Sequence, residues 1–122
     1  MALDELHRSA LLRVWDGVHA RAVDGKDVSF AVVELDPGAH VPEHHHVHEQ
    51  LGIVIRGTVL WRVEGEEREL GPGGTWSIGS GVPHEVVAGP DGAEVIDIFS
   101  PPREDWAELP HGEPRAPRWP QG

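Results

Sequence analysis

The sequence predicts an all-β fold, a sandwich or a barrel, within one domain of 122 residues. Apolar runs of about four to eight residues, rich in Val and Ile, recur from residue 12 to residue 99. Gly, Pro and Asp, which form turns, separate these runs. Only residues 2–12 weakly suggest the period of a helix. Many short strands with close turn signals are typical of sandwiches and barrels.

The strands follow one another in the order of the apolar runs. The predicted strands span residues 12–19, 28–35, 44–47, 51–56, 59–64, 75–78, 85–88 and 94–99. From residue 101 onward six prolines predict an extended tail, with at most one helical turn around 104–109. The expected organisation is one domain over residues 1–122, with a barrel core over about 12–100 and a tail over 101–122. The tryptophans expected in the core or at an interface are Trp15, Trp61 and Trp76.

The composition excludes several classes of function. There is no cysteine, so disulfides, thiolate metal sites and cysteine nucleophiles are excluded. The formal net charge of −11 opposes binding to a nucleic-acid backbone or to an anionic membrane surface. The first residues hold no apolar run of the length of a signal peptide or a membrane span, so the expected location is the cytoplasm.

Histidine is the unusual feature of the composition. Five of the nine histidines lie between residues 40 and 48, and His84 follows later. On an extended strand His44 and His46 would share one face, and His45 would face the other side. Two imidazoles at this spacing can chelate one metal ion with a third ligand from a neighbouring strand. The alternative is a solvated, loosely ordered histidine-rich loop.

Two motifs of fixed spacing favour the metal site. The first has the pattern G-x5-H-x-H-x3-Q-x6-G, and its fixed positions are Gly38, His44, His46, Gln50 and Gly57. It resembles the first motif of the cupin superfamily, in which a glutamate usually stands at the position of Gln50. The second motif has the pattern G-x5-G-x-G-x2-H over residues 73–84. It is similar to the second cupin motif, although a glycine replaces the proline of that motif and Ala88 replaces its asparagine. Its matching positions are Gly73, Gly81 and His84, with Gly79 at the proline position.

The resemblance implies a small jelly-roll β-barrel that holds one divalent transition metal ion. The implied ligands are His44, His46, Gln50 and His84. Glu49 is the alternative to Gln50, because the family's usual ligand is a carboxylate, but a shift of one residue on a strand turns a side chain to the opposite face. The other histidines of the cluster match no motif position and are expected to be solvated or to lie beside the ligands; they are His40, His45 and His48.

A metal ion in this ligand set would keep its full positive charge, because three imidazoles and one amide are neutral. The absence of a ligand charge favours Lewis-acid chemistry over the stabilisation of a higher oxidation state. Imidazole and amide ligands suit Ni, Zn, Mn, Fe or Co without distinguishing among them.

A second group of polar residues stands at the end of the predicted barrel. Val95, Asp97 and Phe99 would share one strand face, so Asp97 lies on an otherwise apolar surface. Burying a carboxylate costs free energy unless the group is paired with another group or has a role in catalysis. Asp97 is therefore either the partner of Arg103 in a salt bridge that fastens the tail, or a proton-transfer group at the mouth of the barrel.

The pattern D-x-F-x3-R, formed by Asp97, Phe99 and Arg103, narrows the resemblance. Where this pattern follows an H-x-H-x3-Q metal motif, the sequence is similar to small cupins of the KdgF type. Those enzymes convert 4,5-unsaturated monouronates to open-chain keto forms. The resemblance assigns these three residues to the active site. It implies a metal-dependent isomerase or lyase whose partner is a small anionic substrate. A homodimer is also expected, because small cupins commonly form one and the tail and strand edges could lie on a neighbour.

Two other functions remain open for a cupin. The first is a dioxygenase that uses Fe or Mn on a small organic substrate, which oxygen consumption would reveal. The second is a non-catalytic module that senses a small anion through its metal, which would bind tightly without turnover.

Overall fold

The computed structural model describes residues 2–120, which form mainly β-strands. Apolar, often β-branched side chains alternate along most of these strands, a pattern that favours extended backbone with one face turned to a core. The strands are β1 (Leu12–Trp15), β2 (Val18–Asp24), β3 (Ser29–Leu35), β4 (His40–His44), β5 (Glu49–Val63), β6 (Glu66–Leu70), β7 (Thr75–Ile78) and β8 (His84–Ser100). Two 3-10 helices flank them, at Leu6–Arg8 and Glu104–Glu108. Neither these helices nor any other described segment forms an apolar helix of bilayer-spanning length.

The two longest strands, β5 and β8, form the centre of an antiparallel jelly roll, and they pair along almost their whole length. The first residues of β8 also pair with β4, and its last residues pair with β3, which extends the sheet to β2 and β1. β5 pairs with β7 through its first residues and with β6 through its last. Each long strand therefore contributes to the sheet at both of its ends.

A bend in the paired β5 and β8 brings the two ends of this ribbon together. His84 and Phe99 stand near opposite ends of β8, yet both rings lie close to His46, at centroid distances of 4.9 and 6.0 Å. A straight strand would separate the two positions by about 50 Å. The strand register shifts next to Gly57, which has a φ of +76° and no room for a Cβ atom beside the carbonyl of Gly92. Only glycine adopts this backbone conformation easily, so the bend depends on the glycine at this position of the sequence.

The strand predictions need correction where glycine bends the chain. The predicted strand 12–19 is two strands, because Asp16 and Gly17 form a turn in which Gly17 has a φ of +74°. The predicted joints at Gly57 and at residues 89–92 do not end strands but lie within β5 and β8. β6 was not predicted, because four of its five residues are charged and exposed. Charged side chains are typical of a sheet edge, where they oppose pairing with other molecules.

Two further elements differ in position or length from the predicted ones. The strand expected at 44–47 ends instead at His44, and residues 45–48 connect β4 to β5. The helix weakly suggested over residues 2–12 is a single 3-10 turn at Leu6–Arg8. The helical turn expected around 104–109 is confirmed, at Glu104–Glu108.

The core lies inside the roll and consists mainly of Val and Ala side chains from the strands. Trp61 and Trp76 are buried in it, as predicted, and their ring centroids are 4.9 Å apart. Trp15 is 48% exposed and does not belong to the core.

The tail runs along its own barrel. The backbone N–H of Arg13 on β1 donates to the carbonyl of Pro110 at 2.8 Å. Further on, the tail reaches the buried carboxylate of Glu34, which pairs with Arg21 and Arg115 and accepts a hydrogen bond from the backbone N–H of Arg118 at 2.8 Å. A tail held in this way does not support the expectation that it reaches a neighbouring molecule.

Candidate metal centre

Three imidazoles meet where β4 ends and β8 begins. His44 is the last residue of β4, His84 is the first of β8, and the two are register partners. His46 follows in the connection to β5. One ring nitrogen from each of the three histidines lies within 4.8 Å of the others. The strand-face explanation for His44 and His46 is thus replaced by a bend after His44, but the predicted convergence is present.

Each ring is oriented by the backbone two residues away. Nδ1 of His44, His46 and His84 lies 2.9, 3.0 and 2.8 Å from the carbonyl oxygens of residues 42, 48 and 82. A carbonyl can only accept, so Nδ1–H donates and the lone pair remains on Nε2. Nε2 of His84 is buried without a hydrogen-bond partner. Three Nε2 lone pairs turned toward one point suit a divalent ion.

Burial disfavours the charged form of His46 and His84. Removal from water, assisted by the positive charge of Arg103, lowers the pKa of His46 to about 4. Burial also lowers the pKa of His84. A metal ion binds only the neutral ring, so the environment prepares these two ligands for an ion near neutral pH.

Gln50 lies beside the imidazoles, and Glu49 does not. Gln50 is buried at the start of β5, and its Oε1 is 3.2 Å from Nε2 of His46. Its amide nitrogen donates to Oδ1 of Asp97 at 2.9 Å. Glu49 is exposed, as the alternation of faces on a strand requires. The geometry thus favours Gln50 over Glu49 as the fourth ligand.

The remaining histidines of the cluster lie outside this point. His45 is exposed, and His40 is exposed and bound to Glu85. His48 is buried beside the site, where its carbonyl accepts the Nδ1–H of His46 and its Nε2 lies 3.8 Å from Asp105.

Asp97 is buried on β8 and faces the same cavity as the imidazoles. Its Oδ1 accepts hydrogen bonds from the amide of Gln50 at 2.9 Å and from the indole of Trp76 at 2.8 Å. Burial raises the pKa of Asp97 to about 6, although both hydrogen bonds and the charge of Arg103 oppose the rise. Its Oδ2 receives no hydrogen bond from the described residues.

Arg103 pairs with Asp105 rather than with Asp97. Its Nε and Nη2 donate to the Asp105 carboxylate at 3.1 and 3.0 Å. The guanidinium carbon lies 4.7 Å from the ring centroids of both Phe99 and Trp106. The salt bridge considered as a structural role for Asp97 is therefore absent from the described residues.

The cavity has a volume of about 100 Å³ and is polar at one side only. The polar side is formed by His44, His46, Gln50, His84, Asp97 and Arg103. Valine, leucine and aromatic side chains form the rest of the wall. A site with few, convergent polar groups in an apolar wall can orient one small ligand.

Sequence reasoning placed Trp76 in the core but missed its contact with Asp97. The indole crosses β5 at Gly52, where a Cβ atom would overlap the ring. A lone glycine inside an apolar strand indicates such a close approach, and this signal was available at Gly52.

Comparison with known proteins agrees with this architecture. Residues 31–99 match the family model described as a cupin domain. The chain belongs to the cupin family. The match covers the region from β3 to β8 and so includes every residue of the candidate metal centre.

Among cupins, the chain is similar to KdgF proteins. It is 31% identical over 93 residues to the pectin degradation protein KdgF of Dickeya dadantii, covering 75% of this chain and 84% of that one. The structure of KdgF from Halomonas superposes with a TM-score of 0.78 at 31% identity, covering 86% of this chain and 97% of the other. An RmlC-like cupin from Shewanella frigidimarina gives a TM-score of 0.79 at 25% identity, over 86% and 95% of the two chains.

Proposed function

We propose that this cupin is a metal-dependent enzyme that converts a 4,5-unsaturated monouronate to its linear keto form. The observation that carries the proposal is the position of Asp97. This buried carboxylate faces the cavity beside the histidine cluster and is hydrogen-bonded to the candidate ligand Gln50. A carboxylate in that position can move a proton on a molecule held at the cluster.

The similarity to KdgF proteins supports the choice of substrate. The curated relative is named for pectin degradation, and the chain covers 84% of its length. The residues Asp97, Phe99 and Arg103 of the D-x-F-x3-R pattern all line the cavity. This makes a small sugar acid the ligand class that best fits both the relatives and the site.

In the proposed enzyme, different residues have different roles in binding an anionic sugar acid. A divalent ion held by His44, His46, Gln50 and His84 would supply Lewis acidity toward substrate oxygens. Arg103, which lies against the rings of Phe99 and Trp106 and is braced by Asp105, provides a fixed positive charge for a carboxylate. Phe99 and the aliphatic wall keep water from the reacting atoms.

Asp97 carries the proton transfer in the proposed reaction. Opening of the hemiacetal ring converts the anomeric hydroxyl to a carbonyl and releases the ring oxygen at C5 as an enol. Tautomerisation to the ketone then removes the proton from the enol oxygen at C5 and places a proton on C4. The reaction is an isomerisation, so a single carboxylate that accepts and returns a proton balances it, and the free Oδ2 of Asp97 is the atom available.

The test of the proposal is Asp97→Asn, which preserves size and the acceptor oxygen. We expect turnover of unsaturated uronates to fall by about 10² to 10⁴, while metal content and melting temperature stay near those of the unchanged protein. The measurement is product formation on a panel of unsaturated uronates, with protein loaded separately with Ni, Zn, Mn, Fe and Co. A destabilised but fully active variant would end the catalytic assignment of Asp97.

The same assay separates the alternative functions. Oxygen consumption by iron-loaded or manganese-loaded protein with an organic substrate would indicate a dioxygenase. Tight binding of a uronate without turnover would indicate a sensing module. Either result would refute the proposed isomerisation.

The proposal also includes the oligomeric state and the location of the enzyme. We expect a homodimer in the cytoplasm, as small cupins commonly form homodimers. Light scattering on the purified protein measures the mass directly, and a monomeric mass would contradict the expected dimer.

A further inference from the structure

The amide of Gln50 has only one orientation that fits its neighbours. A carboxylate accepts hydrogen bonds, so the group 2.9 Å from Asp97 Oδ1 must be the amide nitrogen. The amide oxygen then points to the other side, where Nε2 of His46 lies at 3.2 Å. Without the acceptor on Asp97 the amide could rotate and present its N–H groups, which cannot bind a metal ion.

Asp97 is held in its turn by Trp76. The indole N–H donates to the same Oδ1 at 2.8 Å. Gly52 is the register partner of both residues, on β7 and on β8, so the ring passes directly over it to reach the carboxylate. Trp61 packs against the Trp76 ring at a centroid distance of 4.9 Å and limits its movement.

We propose that Asp97 and Trp76 are positioning residues for the metal centre, because the hydrogen-bonded chain from Trp76 through Asp97 to Gln50 fixes the amide oxygen toward the ion. Asp97 then uses its two oxygens differently, Oδ1 for positioning and Oδ2 for proton transfer. The inference rests on the proposed metal site but not on the uronate reaction, so metal affinity tests it without any substrate.

The first test compares two changes at Asp97. Protein freed of metal is titrated with Co²⁺ in competition with a chelating dye, and the visible spectrum of the bound ion is recorded. Asp97→Leu removes the acceptor and is expected to weaken Co²⁺ binding by about 10- to 100-fold, the usual effect of losing a group that orients a ligand. Asp97→Asn keeps an acceptor oxygen at the Oδ1 position and is expected to bind with nearly unchanged affinity and spectrum.

The second test compares two tryptophans that touch each other. Trp76→Phe keeps an aromatic ring but removes the N–H donor, and we expect a loss of about tenfold in Co²⁺ affinity. Trp61→Phe is the matched control, because the N–H of Trp61 is buried without a hydrogen-bond partner. Its Co²⁺ affinity should equal that of the unchanged protein. This comparison stands even if Asp97→Leu fails to fold.

The outcomes separate this inference from the proposed reaction. Equal Co²⁺ affinity for Trp76→Phe and Trp61→Phe would overturn the role of Trp76. If Asp97→Asn binds as weakly as Asp97→Leu, the charge of Asp97 rather than its hydrogen bond supports the ion, and the inference is wrong. If the expected order of affinities is found but no uronate is converted, the positioning role stands and the proposed reaction fails.

Discussion

The candidate ligands depend on short local contacts as well as on the fold. Each of the three imidazoles donates Nδ1–H to a carbonyl two residues away, so the backbone of its own loop selects the tautomer that leaves Nε2 free. His45 stands between two of these residues but is not part of the group of ring nitrogens that lie within 4.8 Å of one another. Its neighbours in sequence are candidate ligands, and it is not.

This difference predicts the metal content of single variants. His46→Ala and His84→Ala should each lose the ion, because a small site with one imidazole removed loses much of its affinity. His45→Ala should retain about one ion per chain. Elemental analysis of the purified variants measures this directly. Loss of the metal in His45→Ala together with its retention in His46→Ala would show that the ligand set is wrong.

The candidate ligands were accessible from the sequence because the resemblance to two cupin motifs selects them. Two motifs in the right order selected His44, His46, Gln50 and His84, and their convergence did not require the strand-face argument, which was wrong for His46. Trp76 was not accessible in the same way. Its contact with Asp97 crosses a strand that is distant in sequence, and although Gly52 indicates a close approach, no local spacing identifies the two residues that meet there.

Among the elements, the first part of β5 shows how a missing side chain makes a contact possible. Gly52 lies between Trp76 on β7 and Asp97 on β8, and its lack of a Cβ atom leaves the path on which the indole reaches the carboxylate. The glycine therefore belongs to the construction of the site, although it has no side chain that could take part in it.

Gly52→Ala should accordingly destabilise the protein and weaken the site. The new methyl group would overlap the Trp76 ring, and such overpacking costs about 1 to 3 kcal/mol. Urea unfolding followed by tryptophan fluorescence measures the change. Gly71→Ala is the control, because a Cβ atom there meets nothing within 4 Å. Equal stability of the two variants would mean that the indole moves aside without cost.

The limits of strand prediction have two physical causes. β6 was missed because an exposed edge strand needs no apolar face, so its charged residues carry no alternation. β5 and β8 were each divided because the glycines that bend a strand are the same residues that end one in a turn. The apolar segments of the core were therefore largely located, whereas their division into strands depended on pairing partners far along the chain.

For the whole molecule, the tail and the barrel are joined through buried charge. Glu34 on β3 binds Arg21 of β2 and Arg115 of the tail, and His19 lies near the same group. Burial, together with the charges of Arg115 and Arg118, lowers the pKa of His19. Its Nδ1 is buried without a partner, so a proton on this ring would find no acceptor there.

The lowered pKa of His19 predicts acid sensitivity. Above the unfolded value of 6.5 the ring is neutral in both states, but below it the unfolded chain binds the proton first. The free energy of unfolding should therefore decrease as the pH falls from 6.5 through the lower pKa of the folded protein. Urea unfolding of metal-free protein at about pH 7.5 and about pH 5.5 measures the loss.

His19→Gln should show a smaller loss of stability between these two pH values, because it removes one of the buried groups that titrate. His7→Gln is the control, since it removes a histidine that is exposed near the amino terminus. If both variants lose as much stability as the unchanged protein, His19 does not contribute to the acid sensitivity.

The bent ribbon of β5 and β8 has a kinetic consequence. Gln50 and Asp97 are 47 residues apart, and His84 is similarly distant from His44, so the site is complete only after segments that are distant in sequence have paired. Chains dominated by such contacts fold slowly, in milliseconds to seconds. An ion added to the unfolded chain would meet the histidines of residues 40–48, but neither His84 nor Gln50 would be held beside them. A bound ion would therefore stabilise contacts that form late in folding, and it would prolong the lifetime of the folded protein rather than hasten its formation.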